Sequence, residues 1–174
     1  MSSRTPLSPA LSAGTSPFQI REIRPGDDAA VEAVIRSCLV EFGANREGFA
    51  WSDPNLGQFS QVYCHPGSRY WVVVSAQGEI VGGAGIGPLQ GAEGVCELQK
   101  MYCLPQARGT GVAHRLMQTA LAFAARHYRK CYLETFHTMA AANRFYQKYG
   151  FRQLEAPYLP TAHYACDIWY LRDL

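Results

Sequence analysis

The feature that most limits what this chain can become is the junction Gln106-Ala107-Arg108-Gly109-Thr110-Gly111, between an apolar strand-like run and an amphipathic helix. The run is Val95 to Leu104, closed by Pro105, and the helix is expected from about Val112 to Tyr128. Ala113, Leu116, Met117, Ala120, Leu121 and Ala124 recur at helical spacing and give that helix one buried stripe. The two glycines let the backbone turn tightly and put no Cβ in a ligand's way. The first turn of the helix then presents unpaired N–H groups and the positive end of its dipole. Strand, glycine turn and helix together make an anion site suited to a pyrophosphate.

Two common phosphate loops do not fit. A P-loop ends in Gly-Lys-Ser/Thr, whereas Val112 follows Gly111. A dinucleotide fingerprint needs a third glycine where His114 stands. What remains is Gln-x-x-Gly-x-Gly with Ala113 two residues on. Downstream, Asn143-Arg144-Phe145-Tyr146-Gln147-Lys148-Tyr149-Gly150-Phe151 reads as Asn followed by Tyr-x-Lys-x-Gly-Phe. One helix and one short strand fill the interval. On these two elements the chain, from Phe18 through Leu171, resembles the GNAT superfamily of acetyl-CoA-dependent N-acetyltransferases.

The resemblance implies an α/β (mixed α+β) fold of GNAT type, with a mostly antiparallel central sheet of about seven strands flanked by helices. It implies acetyl-CoA as co-substrate and no metal. In the family's pattern, Gln106, Arg108, Gly109, Thr110, Gly111, Val112 and Ala113 wrap the pyrophosphate. The strand at Met101 and Cys103 pairs its backbone with the pantetheine arm, and the Met101 N–H serves the oxyanion. Asn143 bonds the arm or a backbone group. Tyr146 reaches the sulfur as general acid, and Glu97, nine residues before Gln106, is the base. Acetyl transfer needs all three kinds of help: an ammonium must lose a proton, an oxyanion needs donors, and a thiolate leaves better with an acid. On strand periodicity Glu97 shares a face with Val95, Gln99, Met101 and Cys103. Asn143 and Tyr146, three apart, share a helix face. The plainer alternatives are a strand carboxylate that orients a cation, and an aromatic in a core stripe.

The remaining chain reads in order. Phe18 to Ile23 is a strand, and Asp27 caps a helix to about Phe42 with Ala30, Val31, Val34, Ile35 and Cys38 inward. Gly43 to Ser68 is loop-like. Strands Tyr70–Ser75 and Ile80–Ile86 meet in a turn at Gln77-Gly78. Cys131–Phe136 is a strand and Thr138–Tyr149 a helix closed by Gly150. Phe151–Leu154 and Tyr164–Leu171 are the last strands. Gly82, Gly83, Gly85 and Gly87 precede no helix, so they mark close approach of another backbone or a ligand and not a phosphate loop, with shaping of the acceptor cleft as a lesser reading. Phe49, Trp51, Phe59 and Tyr63 beside Glu41, Glu47 and Asp53 suit a cationic amine, with Glu155 to His163 as the opposite wall; local packing of a long loop is the alternative.

Composition sets limits. The chain of 174 residues suits one domain over 18–174 after a tail, 1–17, rich in Ser, Pro and Ala and expected to be disordered. Net charge is +2 without a Lys/Arg block, which indicates neither a nucleic-acid nor an anionic-membrane partner. No apolar stretch approaches the length that spans a bilayer. Six cysteines form no C-x-x-C pair and read as small buried hydrophobes of a reducing cytoplasm. Cys103, beside the cofactor path, is the one to watch for reactivity. The five histidines show no metal-ligand spacing and receive no role. The expected function is acetyl transfer to a small-molecule amine. A protein lysine or N-terminus as acceptor, a non-catalytic acyl-CoA-binding module, and a homodimer all stay open.

Overall fold

A computed structural model describes residues 16–174, so the tail expected at 1–17 lies almost wholly outside the described residues. The strands are β1 (Gln19–Glu22), β2 (Arg69–Val74), β3 (Ile80–Pro88), β4 (Val95–Cys103), β5 (Lys130–Thr135), β6 (Arg152–Leu154) and β7 (Ile168–Asp173). The helices are α1 (Asp28–Glu41), the short α2 (Phe59–Val62), α3 (Val112–His127) and α4 (Ala140–Lys148). The seven strands form one sheet in the order β1-β2-β3-β4-β5-β7-β6. Only β4 and β5 run parallel, joined through α3 as a parallel pair requires. The fold is the mixed, mostly antiparallel α/β architecture that the sequence implies.

Helices cover both faces. Val31, Ile35 and Leu39 of α1 pack with Phe59 and Tyr63 against Tyr70 and Val72 of β2. On the other face Val112, Leu116, Met117, Ala120 and Ala124 of α3 meet Val73, Ala84, Ile86, Cys96 and Leu98. Tyr146 of α4 joins this second core beside Phe151 and Tyr170. Gly150, at φ +78°, ends α4 in the left-handed conformation that glycine adopts at no steric cost.

Three local expectations need correction. Asp27 does not cap α1 with its side chain. Its carboxylate accepts from both Arg21 guanidinium nitrogens at 2.6 and 2.9 Å and from the Arg24 N–H at 2.7 Å. The last strand starts at Ile168, not Tyr164. Residues before it are spent on loop bonds, with the Ala165 N–H on the Gly48 carbonyl and the Asp167 N–H on the Thr135 carbonyl. Helix α4 starts at Ala140, not Thr138.

The consequential departure lies in β4. Its register on β3 runs Gly85↔Gln99 and then Gly83↔Tyr102, so three residues of β4 span two of β3. This is a β-bulge, and Lys100 within it has φ +50°, the only positive φ outside glycine among the described residues. The bulge inverts the alternation. Met101 and Cys103 turn to the α3 face with Cys96 and Leu98, while Tyr102 turns to the α1 face. The expected common face of Glu97 with Met101 and Cys103 is therefore wrong. Beyond the bulge β4 also leaves β5: their pairs are Val95↔Lys130, Cys96↔Cys131 and Glu97↔Tyr132, and none follows. A wedge opens there.

The β3 glycines are closely approached, but at Gly83 and Gly85 chiefly by side chains and not by the expected backbone or ligand. A Cβ at Gly83 would lie 2.6 Å from the Tyr70 ring, and one at Gly85 would lie 2.7 Å from the Tyr63 ring. Aromatic side chains, more than another strand or a ligand, occupy that space.

Candidate active site

The wedge holds two cavities. The larger, about 440 Å³, is a mostly apolar groove between β4, the glycine loop and α4. Met101, Cys103, Arg108, Gly109 and Ala113 line it, with Phe42, Ala141 and Phe145 opposite. Gly109 and Gly111 have φ +72° and +84°, and a Cβ on either would meet nothing within 4 Å, so the loop's outer side is open. Gly111 is the N-cap of α3 and offers no side chain to the helix's free N–H groups. Only the Thr110 hydroxyl reaches in, 3.4 Å from the Val112 N–H. That leaves an uncovered helix N-terminus at the end of an apolar channel, a fit for an anionic group on a long apolar arm.

The other candidates around the groove behave differently from one another. Val112 sits in the core, so only its backbone faces the loop. Gln106 lies in a separate hollow against α1 and β3. Arg108 is fully engaged: its guanidinium clamps Glu41 at 2.6 and 2.7 Å, and its Nε donates to the Cys103 carbonyl at 2.8 Å. It fastens the loop to α1. Asn143 donates from Nδ2 to the Phe136 and Met139 carbonyls at 3.1 and 2.9 Å, which shapes the turn into α4. Its Oδ1 is buried and unpartnered. Burial pushes the Cys103 thiol up to about 11, so it is protonated at neutral pH and a poor nucleophile.

The smaller cavity, about 60 Å³, lies deeper between β4 and β5. Glu97, Gln99, Lys100, Glu134 and His163 supply its ionisable and amide groups. Leu39, Phe49 and Leu133 supply apolar wall. Met101, Tyr102, Met139 and Tyr146 line both cavities, so the two meet there. Tyr146 is buried, and burial raises its phenol well above the ordinary value, so it keeps its proton at neutral pH. No side-chain hydrogen bond holds that hydroxyl among the described residues.

Glu97 is held in place. Gln99 Nε2 donates to its Oε2 at 2.7 Å, and the Tyr63 hydroxyl donates to Gln99 Oε1 at 2.8 Å, fixing which way the amide points. Burial raises the Glu97 carboxyl against the opposite pull of Gln99 and Lys100. A raised carboxyl is better matched to taking a proton near neutral pH.

Sequence reasoning missed the chain of charges beside it. Lys100 Nζ stands 2.5 Å from Asp53 Oδ2, and Asp53 Oδ1 is 2.9 Å from His163 Nε2. His163 Nδ1 faces Glu134 at 3.6 Å, and Glu134 also accepts from Thr161 at 2.7 Å and Tyr132 at 2.9 Å. With a carboxylate at each ring nitrogen, His163 is raised to about 9 and is cationic at neutral pH. Burial favours neutral Asp53 and Glu134, but their cationic and hydrogen-bonding partners outweigh it and hold both below the usual range. Asp53 and His163 each fall in a loop expected to wall the acceptor, but 110 positions apart nothing in the sequence pairs them. The aromatics expected beside them mostly do not line the cavity: Trp51 lies under Arg36, and Phe59 and Tyr63 pack on Tyr70. Among the described residues there is no metal-binding group of His, Cys, Asp and Glu, and no helix long and apolar enough to cross a membrane.

Known proteins resemble this chain in sequence and in fold. The family described as "Acetyltransferase (GNAT) family" matches residues 34–151. The uncharacterised N-acetyltransferase YjgM of Escherichia coli (strain K12) is 40% identical over 158 residues, covering 89% of this chain and 94% of that protein. A GNAT-family acetyltransferase structure from Staphylococcus aureus has a TM-score of 0.80 at 21% identity, covering 90% of this chain and 98% of the other. A GCN5-related N-acetyltransferase structure from Kribbella flavida has a TM-score of 0.68 at 26% identity, covering 91% and 98%.

Proposed function

Because this chain belongs to the acetyltransferase (GNAT) family and is an N-acetyltransferase, we propose that it moves an acetyl group from acetyl-CoA to the primary amine of a small molecule, by direct attack on the thioester. One observation carries this: the groove that runs from the glycine loop and the cavity that holds Glu97 meet at Tyr146. The groove suits coenzyme A, with the pyrophosphate at Gly109 to Ala113 and the arm along Met101 and Cys103. The cavity suits the acceptor. Its small volume, roofed by residues of two loops, favours a small amine over a folded protein's lysine.

Each residue then has a defined task. Glu97 takes one proton from the acceptor ammonium, and the freed nitrogen bonds to the acetyl carbon. The backbone N–H of Met101, in the bulge where the ladder is interrupted, donates to the carbonyl oxygen as it gains charge. As the carbon–sulfur bond breaks, Tyr146 gives its phenolic proton to the sulfur. The nitrogen sheds its second proton to solvent as it becomes an amide, solvent returns a proton to Tyr146, and Glu97 releases the one it took. The products are the N-acetylated amine and coenzyme A.

Following coenzyme A release across pH tests the base. Glu97→Gln should lose most of its turnover near neutral pH, by about 10²- to 10⁴-fold. Part should return as pH rises and free amine accumulates. A wild-type pH profile in this variant would move the base elsewhere.

A further inference from the structure

We infer that the acceptor is a small amino acid, bound with its carboxylate at Lys100 and its amine toward Glu97. This deepens the acetyl-transfer proposal and rests on it. The first support is charge balance. Lys100 and His163 are cations, Asp53 and Glu134 are anions, and they are linked in one chain of contacts. The four cancel among themselves, so Glu97 is the carboxylate on the wall left to meet an ammonium. A zwitterion sets that ammonium against Glu97 and its carboxylate against Lys100, which separates its ends along this cavity. A polyamine would bring several positive charges to a single partner, and unpaired charge is costly away from water.

The second support is Lys100 itself. An ammonium has three donors, and Asp53 occupies one side of it. The side chain is only 12% exposed and the residue lines the cavity, so its charge is sheltered from bulk water beside the space an acceptor would fill. Its backbone adopts a left-handed conformation within the bulge. Such strain concentrates where a ligand must be held.

The third support is size. A cavity of about 60 Å³ admits few atoms beyond an α-carbon, its two charged groups and a short side chain. In the reaction the α-amine loses a proton to Glu97 and gains the acetyl group, and the carboxylate is unchanged. The product is an N-acetyl amino acid.

The test is coenzyme A release from acetyl-CoA by the purified full chain, over the standard amino acids, their amides, their decarboxylated amines, and spermidine. At least one small amino acid should turn over, and its amide should fall about 10- to 100-fold in kcat/KM, the worth of one charge-assisted hydrogen bond. That comparison needs no variant. In Lys100→Met the ratio of acid to amide should narrow toward one, chiefly through KM, and Lys100→Arg should restore part of it. Melting curves serve as the check that both variants are folded. Equal or better use of amides, decarboxylated amines or spermidine overturns the amino-acid assignment and leaves acetyl transfer standing. No release with any acceptor overturns acetyl transfer itself, and the assignment with it.

Discussion

At the scale of single residues, Tyr146 makes the sharpest test, because it is both a core residue and a wall of both cavities. Tyr146→Phe keeps the ring against Phe151 and Tyr170 and removes only the hydroxyl. A general acid predicts a fall in turnover of about 10²- to 10⁴-fold with acetyl-CoA affinity little changed. A packing role predicts normal turnover in this variant, with damage confined to Tyr146→Ala and its melting point. Steady-state rates beside melting curves separate the two. His163 makes a second test, through pH. Its folded value of about 9 exceeds the unfolded 6.5, so its contribution is complete below 6.5 and is lost as pH rises through about 9. Asp53 and Glu134 are depressed, so theirs is present above the ordinary carboxylate range and lost on acidification. The charge chain is therefore at full strength between roughly pH 5 and 6.5. The melting point should fall more steeply from pH 6.5 to 9.5 in wild type than in His163→Gln, by about 2–4 °C for each kcal/mol of linkage lost. Parallel curves for the two proteins would remove His163 from the linkage.

At the scale of elements, the glycine loop and α3 form one device. Gly111 caps α3 at φ +84°, with open space where a Cβ would be. Gly111→Glu should abolish acetyl-CoA binding by setting a negative charge where an anion belongs. Any L side chain is strained at that φ, so Gly111→Asn, a neutral residue that tolerates the left-handed region, is the control. Calorimetry should show no binding for Glu and weakened binding for Asn, with both folded by circular dichroism. Unchanged affinity in folded Gly111→Glu would place the pyrophosphate elsewhere. This device is legible in the sequence because each part is local: two glycines, a helical stripe and a preceding apolar run. The same holds for Gly150 and α4. The bulge is not local. Counting alternate residues along β4 puts Met101 with Glu97, and only the pairing to Gly83 and Gly85 on β3 shows the added residue. Lys100, Asp53, Glu134 and His163 are likewise illegible, since four elements distant in sequence meet only once the sheet has formed.

At the scale of the whole molecule, the sheet is joined across its middle by few bonds. The β1–β4 and β5–β7 portions pair through three residue pairs and then part, and both cavities lie in the gap. Helix α3 crosses from one portion to the other, but α4 and the Thr161–Cys166 loop reach the cavities from the β5–β7 side alone. A ligand in the groove touches β4 on one wall and α4 on the other, so it adds contacts across the gap that opens beyond Glu97. Acetyl-CoA at 100 times its Kd should add about 2.7 kcal/mol. For a chain of this size that raises the melting point by roughly 5–10 °C. Hydrogen exchange should locate the gain. Protection should rise in Leu98–Cys103, at the start of α3 and in α4, and stay flat in β1 and β2, whose ladders are complete without a ligand. Uniform protection across the sheet would mean that the ligand stabilises the fold globally and does not bridge the wedge. Protection confined to α1, the start of β3 and the Leu104–Gln106 turn would place it in the hollow around Gln106 instead.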